Sequence, residues 1–343
     1  YILKLFREKN EEFNITQNKF MKTSAKFRAV NDFLTFLQLA IILVVGGYET
    51  ISGRMNFGDL IAFVIYINMI IWPIRQMGQL LSDMAKASVS ISRIYEVLDL
   101  PEEDYEYGIR DVSFSEKIEF KNVSLVINDN TVLDNISFAI NAGESLGVIG
   151  STGSGKSMIV YLLLGLFEAT SGEILIDGIN IKEINKRYLR EKISAIMQDS
   201  ELFNMSILEN VKITNDNIDY KSVFNATEVS SIHNEILNFS SKYETVIVDN
   251  GGNLSGGQKQ RISIARGLLK PFEVLILDDS LSAVDMNTDL KINNALKSMD
   301  KKFTSIFISH RISTITNCDN IIVMDDGKIV ESGKHNDLIM KNG

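Results

Sequence analysis

The octapeptide GSTGSGKS at 150–157 follows the apolar run SLGVI, and its last residue opens the apolar stretch SMIVYLLLGL. No other feature restricts the fold as much, because Gly-x-x-x-x-Gly-Lys-Ser between a strand and a helix binds phosphate only in that context. Gly150, Ser151, Thr152, Gly153, Ser154 and Gly155 would turn backbone N–H groups inward around an anion, at the positive end of the helix that follows. Lys156 would reach the β- and γ-phosphate oxygens of ATP, the Ser157 hydroxyl would take a position on Mg²⁺, and Met158 continues the binding segment into the helix. A chance glycine turn is the competing reading, and the strand–loop–helix context argues against it.

A second glycine pair stands in Leu254-Ser255-Gly256-Gly257-Gln258, directly before the helix-like QKQRISIARGLL. A serine and two glycines at a helix start supply another set of N–H and hydroxyl donors for an anion, although a plain N-cap is the simpler use of Ser255. Further on, LILDD at 275–279 ends an apolar strand on two carboxylates. Asp278 would emerge at the C-terminal sheet edge beside the phosphate loop and hold a hydrated Mg²⁺. Asp279 follows where a water-activating carboxylate would sit. One domain cannot wrap two cradles around one γ-phosphate, so the second is expected to serve a nucleotide held by another chain.

Strand-like runs at 118–125, 136–140, 145–149, 173–176, 193–197, 274–277, 304–308 and 321–324, with helical patterns between several of them, predict a parallel-sheet α/β domain over 116–343. The first hundred residues read differently. Two apolar runs, 33–48 and 60–74, carry no charge and sit a little under the roughly 20 residues a bilayer needs. Flanks such as Arg75 and Gln79 can extend them by snorkelling, giving spans of about 33–51 and 58–80. A pair of buried soluble helices is the alternative. The 1–31 flank has seven basic residues against three acidic ones, whereas 49–59 has one against two, which favours a cytoplasmic N-terminus and an outside loop. Pro73 is expected to kink the second helix, Pro101 to end its pattern, and the acidic run after it to act as a linker over 101–115.

The net charge of −9 falls on residues 101–343, where twenty-four basic residues face thirty-five acidic ones; a nucleic-acid partner is not expected. A single cysteine, Cys318, excludes an internal disulfide and fits a reducing compartment. The chain opens on Tyr1 rather than Met, and the expectation is the C-terminal piece of a longer protein.

Taken together, the loop, the LSGGQ pentapeptide and the LILDD strand end make residues 116–343 resemble the nucleotide-binding domain of ABC transporters. The resemblance implies an α/β P-loop NTPase with an inserted helical subdomain. It also gives roles to Gln198 in IMQD (Mg²⁺ contact), to SAVD at 282–285 (dimer interface) and to His310 in ISHR (γ-phosphate contact). His233 and His335 are expected on the surface. Residues 1–100, with VIYINMIIWPIRQMGQ and SRIYEVLD, look like the end of an exporter-type half-transporter, the first four spans lying outside the chain. Two positions depart from the family pattern: Asp279 stands where Glu is usual, and Ile127 stands where an aromatic residue stacks on adenine.

The implied protein is a multi-pass plasma-membrane exporter of a drug, lipid or peptide with a cytoplasmic ATPase domain. A second half-transporter is its partner, a heterodimer with one degenerate site being favoured over a homodimer that uses Asp279 as a slow base. A soluble ABC ATPase is disfavoured by the two apolar runs, and residual hydrolysis would count against an inactive regulatory module.

Overall fold

The computed structural model describes residues 2–199, 201–214, 218–299 and 302–340. The side chains of Arg75 and Gln79, the expected snorkelling flanks, lie outside the described residues. Contacts divide the chain into two units, Tyr1–Glu102 and Glu103–Gly343.

The first unit is two long helices, α1 (Ile2–Ile51) and α2 (Phe57–Leu98). The turn between them is only 52–56, shorter than the 49–59 stretch left between the two uncharged runs. Helix α2 starts abruptly because the Asn56 N–H donates to the Asp59 carboxylate at 3.3 Å, an N-terminal cap that lets helix begin before the apolar run does. Near the turn the helices touch closely: a Cβ on Gly46 would lie 2.4 Å from Leu60 Cδ1. Pro73 falls inside α2 without ending it. In both helices the most apolar 18-residue window is 0% buried, so these are not core helices of a soluble domain. Exposed Val44, Ile70 and Trp72 present the surface that lipid or neighbouring helices would cover.

The second unit has two sheets. An antiparallel sheet orders β2-β1-β4-β5, built from β1 (Lys117–Ile127), β2 (Asn130–Asn141), β4 (Ser171–Ile176) and β5 (Ile179–Asn180). A six-stranded sheet orders β10-β9-β3-β8-β7-β6. Its members are β3 (Ser145–Gly150), β6 (Ile193–Ile196), β7 (Val274–Asp278), β8 (Thr304–Ile308), β9 (Asn320–Asp325) and β10 (Lys328–Gly333). Strands β3, β6, β7, β8 and β9 pair in parallel, and only β10 runs antiparallel. Every residue of β7 and β8 is buried, as a sheet covered on both faces requires. Strands β5 and β10 escaped the sequence reading; β5 has two residues, and β10 is half-buried at an edge and carries little apolar signal.

Helices α3 (Lys156–Leu163), α4 (Lys186–Lys192), α9 (Met286–Lys297), α10 (Ile312–Ile315) and α11 (His335–Met340) accompany these sheets. Between β6 and β7 the chain inserts a helical lobe made of α5 (Ile207–Lys212), α6 (Tyr220–Val229), α7 (His233–Asn238) and α8 (Gly256–Leu269). Ile207, Val211, Val223, Ile236 and Ile262 form its own core. His233, expected at the surface, is half-buried there, its Nδ1 2.7 Å from the Tyr243 hydroxyl, which packs under α6.

The acidic stretch after Pro101 is tied down rather than free. Arg190 grips Glu103 with both guanidinium ends, at 2.5 and 2.8 Å, while Asn185 Nδ2 donates to the Tyr105 and Tyr107 carbonyls. Asp177 then receives the Ser113 hydroxyl and the N–H groups of Ser115, Glu116 and Lys117. The Arg190 hydrogen bonds hold the Glu103 carboxyl down at about 2, from 4.5. A depressed folded-state value means that this stabilisation is complete above 4.5 and fades as pH falls towards 2. Glu103→Gln should therefore lower the unfolding temperature of the detergent-solubilised chain at pH 7, with the difference from wild type shrinking through that acid window. A gap that persists unchanged at the bottom of the window would contradict the ion-pair origin.

Candidate nucleotide-binding site

Parallel pairing brings the chemistry to one edge. Val148 and Asp278 both register with Ile308, and Ile196 registers with Leu277, so β3, β8, β7 and β6 end side by side. The residues that leave those ends are, in the same lateral order, the phosphate loop, His310, Asp278 with Asp279, and Gln198. This is the C-terminal sheet edge where α/β folds bind ligands.

The loop needs its glycines for backbone conformation and for space. Gly153 and Gly155 have φ of 86° and 94°, a left-handed region closed to most side chains. A Cβ on Gly155 would also lie 2.6 Å from Leu133 Cδ2, whereas one on Gly153 would meet nothing within 4 Å and so points into open space. Lys156 is buried and donates to the Gly150 carbonyl at 3.0 Å and the Ser151 carbonyl at 2.7 Å. Burial pushes its amine below the ordinary lysine value, opposed by the charges of Asp278 and Asp279. The Ser151 hydroxyl donates to Asp325 at 3.1 Å, and Thr152 is exposed at the loop tip. Ser154 and Ser280 are buried hydroxyls without a hydrogen-bond partner, one inside the loop and one following Asp279. Met158 turns its side chain to the core, and its N–H is spent on the Gly155 carbonyl.

Asp278 is buried; burial raises its carboxyl above the usual range, with the neighbouring Ser157, Lys156 and His310 pulling the other way. Asp279 is half-buried at φ 46°, its N–H donating to the Ile308 carbonyl at 2.8 Å. Asp tolerates that conformation better than most residues. His310 and Gln198 are exposed at the same edge.

These groups fit Mg·ATP. Lysine and loop N–H donors match phosphate oxygens, the unpartnered Ser154 hydroxyl lies among them, and a Ser157–Asp278 pair stands ready for a cation. Among the described residues no group of three or more His, Cys, Asp or Glu forms a cage. Mg²⁺ that keeps its waters and phosphate oxygens needs only one or two side chains. When bound, the metal supplies charge that neutralises phosphate oxygens.

Ile127 ends β1 against the core, opposite Asn130 across a two-residue turn through Asn128 and Asp129. Val132 follows in β2, and its carbonyl would lie 3.0 Å from a Cβ on Gly155, so β2 carries the Ile127 turn past the phosphate loop. An aliphatic side chain there offers contact area without ring stacking, an interaction of about 1 kcal/mol between aromatic pairs.

The second cradle stands at the start of α8. Ser255 caps the helix, accepting from the Gln258 N–H at 3.2 Å, which leaves its own hydroxyl hydrogen for another acceptor. Leu254 packs into the helical lobe. Gln258 is committed inside the chain: Oε1 accepts the Ser255 N–H at 2.9 Å, and Nε2 donates to Glu235 at 2.9 Å. Its place in the pentapeptide is thus to hold the cradle's shape. Glu235 also receives Arg261 at 2.6 Å, and neither residue carried a sequence signal beyond its neighbourhood.

The family model for the ABC transporter domain matches residues 133–282, and that for the ABC transporter transmembrane region matches 1–74. An ATP-dependent lipid A-core flippase of Syntrophus aciditrophicus is 33% identical over 343 residues, covering 97% of this chain and 57% of the relative. A putative multidrug export ATP-binding/permease protein of Bacillus subtilis, YgaD, is 35% identical over 338 residues, 97% of this chain and 58% of the relative. Among solved structures, a bacterial Atm1-family ABC exporter with ATP bound superposes with a TM-score of 0.79 at 29% identity, over 92% of this chain and 56% of that one. The chain belongs to the ABC transporters: apolar transmembrane helices followed by an ATP-binding domain of the ABC type. Its two apolar helices make it a multi-pass membrane protein, with the nucleotide-binding domain cytoplasmic. It spans a little over half the length of these relatives.

Proposed function

We propose that the chain supplies two membrane helices and the ATP-binding domain of one half of an ATP-driven exporter, in which nucleotide lies between this chain's phosphate loop and the Ser255 cradle of a second half. The carrying observation is the pair of anion cradles on one chain: a loop with Lys156 turned into it, and a helix start whose exposed Ser255 hydroxyl accepts from the Gln258 N–H and still has its own hydrogen to give. In this reading Lys156 and the loop bind the phosphates, Ser157 and Asp278 hold Mg²⁺, Gln198 and His310 approach from neighbouring strand ends, and Asp279 orients water.

Ile127 and Asp279 both weaken this chain's own site while the 254–258 cradle is intact. That combination supports a non-identical partner with the stronger catalytic carboxylate. The second reading, two identical copies with Asp279 as a slow base, is supported by the otherwise complete lining, with Ser157 and buried Asp278 side by side. The cargo class stays with the relatives, among them an ATP-dependent lipid A-core flippase and a putative multidrug export protein, of which the chain spans a little over half.

The test uses the intact protein in sealed cells and in proteoliposomes. An impermeant thiol reagent should label Asn56→Cys and spare Asn128→Cys, and the reconstituted protein should release phosphate from Mg·ATP. Labelling of Asn128→Cys alone would reverse the topology, and absent hydrolysis would remove the transporter reading.

Binding is tested separately. Lys156→Ala should weaken ATP binding by roughly 1.5–3 kcal/mol, the range for hydrogen bonds to charged groups. Isothermal titration showing unchanged affinity would mean that the loop is not the site.

A further inference from the structure

Residues 282–284 form the short loop between Asp279 and α9, and two side chains from opposite directions hold it. Arg311 Nη1 donates to the Val284 carbonyl and Nη2 to the Ser282 carbonyl, both at 2.6 Å. From α8, Gln260 Nε2 donates to the Ser282 hydroxyl at 3.0 Å, and Gln260 Oε1 accepts the Ala283 N–H at 2.9 Å. Upstream, the Ser282 N–H bonds the Asp279 carbonyl at 3.1 Å. The loop also presses on the second cradle, since a Cβ on Gly257 would lie 2.9 Å from the Ala283 carbonyl oxygen. Absence of that Cβ is what lets the loop sit so near.

We propose that Arg311 is a positioning residue that ties the two nucleotide sites of the dimer together through this loop. The inference rests on the dimer reading above. Arg311 directly follows His310, at the edge that faces the chain's own nucleotide. Gln260 sits one helical turn beyond Gly256 and Gly257, which face the partner's nucleotide. A shift of His310 pulls the Arg311 fork, the fork moves 282–284, and the loop's movement reaches Asp279 on one side and the Gly257 cradle on the other. The fork itself is oriented from behind: the buried Asp289 carboxylate lies 3.7 Å from Nη1 and is fixed by Thr314 at 2.9 Å and Asn293 at 2.6 Å. Lysine could keep the charge beside Asp289, but its compact ammonium lacks the rigid planar fork that sets separate N–H groups on the Val284 and Ser282 carbonyls.

The experiment compares wild type, Arg311→Lys, Arg311→Ala and Gln260→Ala in the intact, reconstituted transporter. It reads ATP affinity, thermal unfolding, phosphate release and ATP-induced hydrogen-exchange protection over 254–258 and 282–285. In wild type, ATP should slow exchange in both segments. In both Arg311 variants ATP affinity should stay within about twofold, the exchange response should be lost, and turnover at saturating ATP should fall about tenfold, which is about 1.4 kcal/mol of barrier. Arg311→Lys should rescue nothing, and Gln260→Ala should lose the response at 254–258. Wild-type exchange and turnover from Arg311→Lys would overturn the proposal, because charge against Asp289 would then suffice. Parallel loss of ATP affinity and unfolding temperature would overturn it too, since that marks a merely structural role. Wild-type phosphate release, measured alongside, reports on the dimer reading independently of the exchange response.

Discussion

Ser255→Arg should remove most of the steady-state ATP turnover of the assembled transporter, by about 10²–10³-fold, the usual worth of an electrostatic donor aimed at developing charge. Ser255 uses its oxygen on the Gln258 N–H and keeps its hydrogen for another acceptor, while Gln258 and Glu235 hold the turn from within. Arginine removes the hydroxyl and fills the cradle with bulk, and it lacks the short oxygen that caps α8. Loss of a cap costs about 1 kcal/mol, too little to unfold the domain. The deficit should therefore appear in turnover while the unfolding transition stays cooperative. Phosphate release from reconstituted protein, set beside a melting curve, checks both parts.

Asp279 should give the second large effect, in the opposite direction. Glutamate there extends the carboxylate by one methylene towards a water on this chain's own nucleotide. Misplacement of about 1 Å can cost about 100-fold in rate, so Asp279→Glu should raise hydrolysis at this site by up to that factor. Part of the gain is offset by backbone geometry, because φ of 46° suits Asp and Asn better than Glu. The same geometry makes Asp279→Asn a clean probe that removes charge without straining the chain. With a non-identical partner doing most of the chemistry, Asp279→Asn should change total turnover by less than about twofold, against the hundredfold above. With two identical copies it should abolish turnover. Single-turnover hydrolysis separates the two cases, since it reads each site rather than the sum.

How much of this was legible beforehand follows from where the signals lie. The phosphate loop, the strand-end carboxylates and the serine–glycine helix start are local patterns, and each stands on the element its spacing required. The transmembrane helices were legible as well, because runs without charge need no tertiary context. Strand β2 was seen only from 136, because its first half, NTVLDN, alternates too weakly to read as a strand. The acidic stretch from Glu103 read as a linker because acidic, aromatic sequence has no period; only the fold supplies Arg190, Asn185 and Asp177 to hold it. Arg311 and Gln260 were invisible for the same reason. Their partners are backbone groups of a loop brought near by β8 and α8, and no sequence pattern encodes a carbonyl.

The central claim is that this chain's two cradles act on different nucleotides. The direct measurement is photolabelling of the intact, reconstituted transporter with radiolabelled azido-ATP, read on this chain, together with phosphate release. Lys156→Ala should lose the label on this chain's loop. Ser255→Arg should keep that label while turnover falls about 100-fold or more, the loss expected of a missing donor to the transferring phosphate. If Ser255→Arg instead erases the label on its own loop in parallel with Lys156→Ala, the two cradles share one nucleotide and the account is wrong.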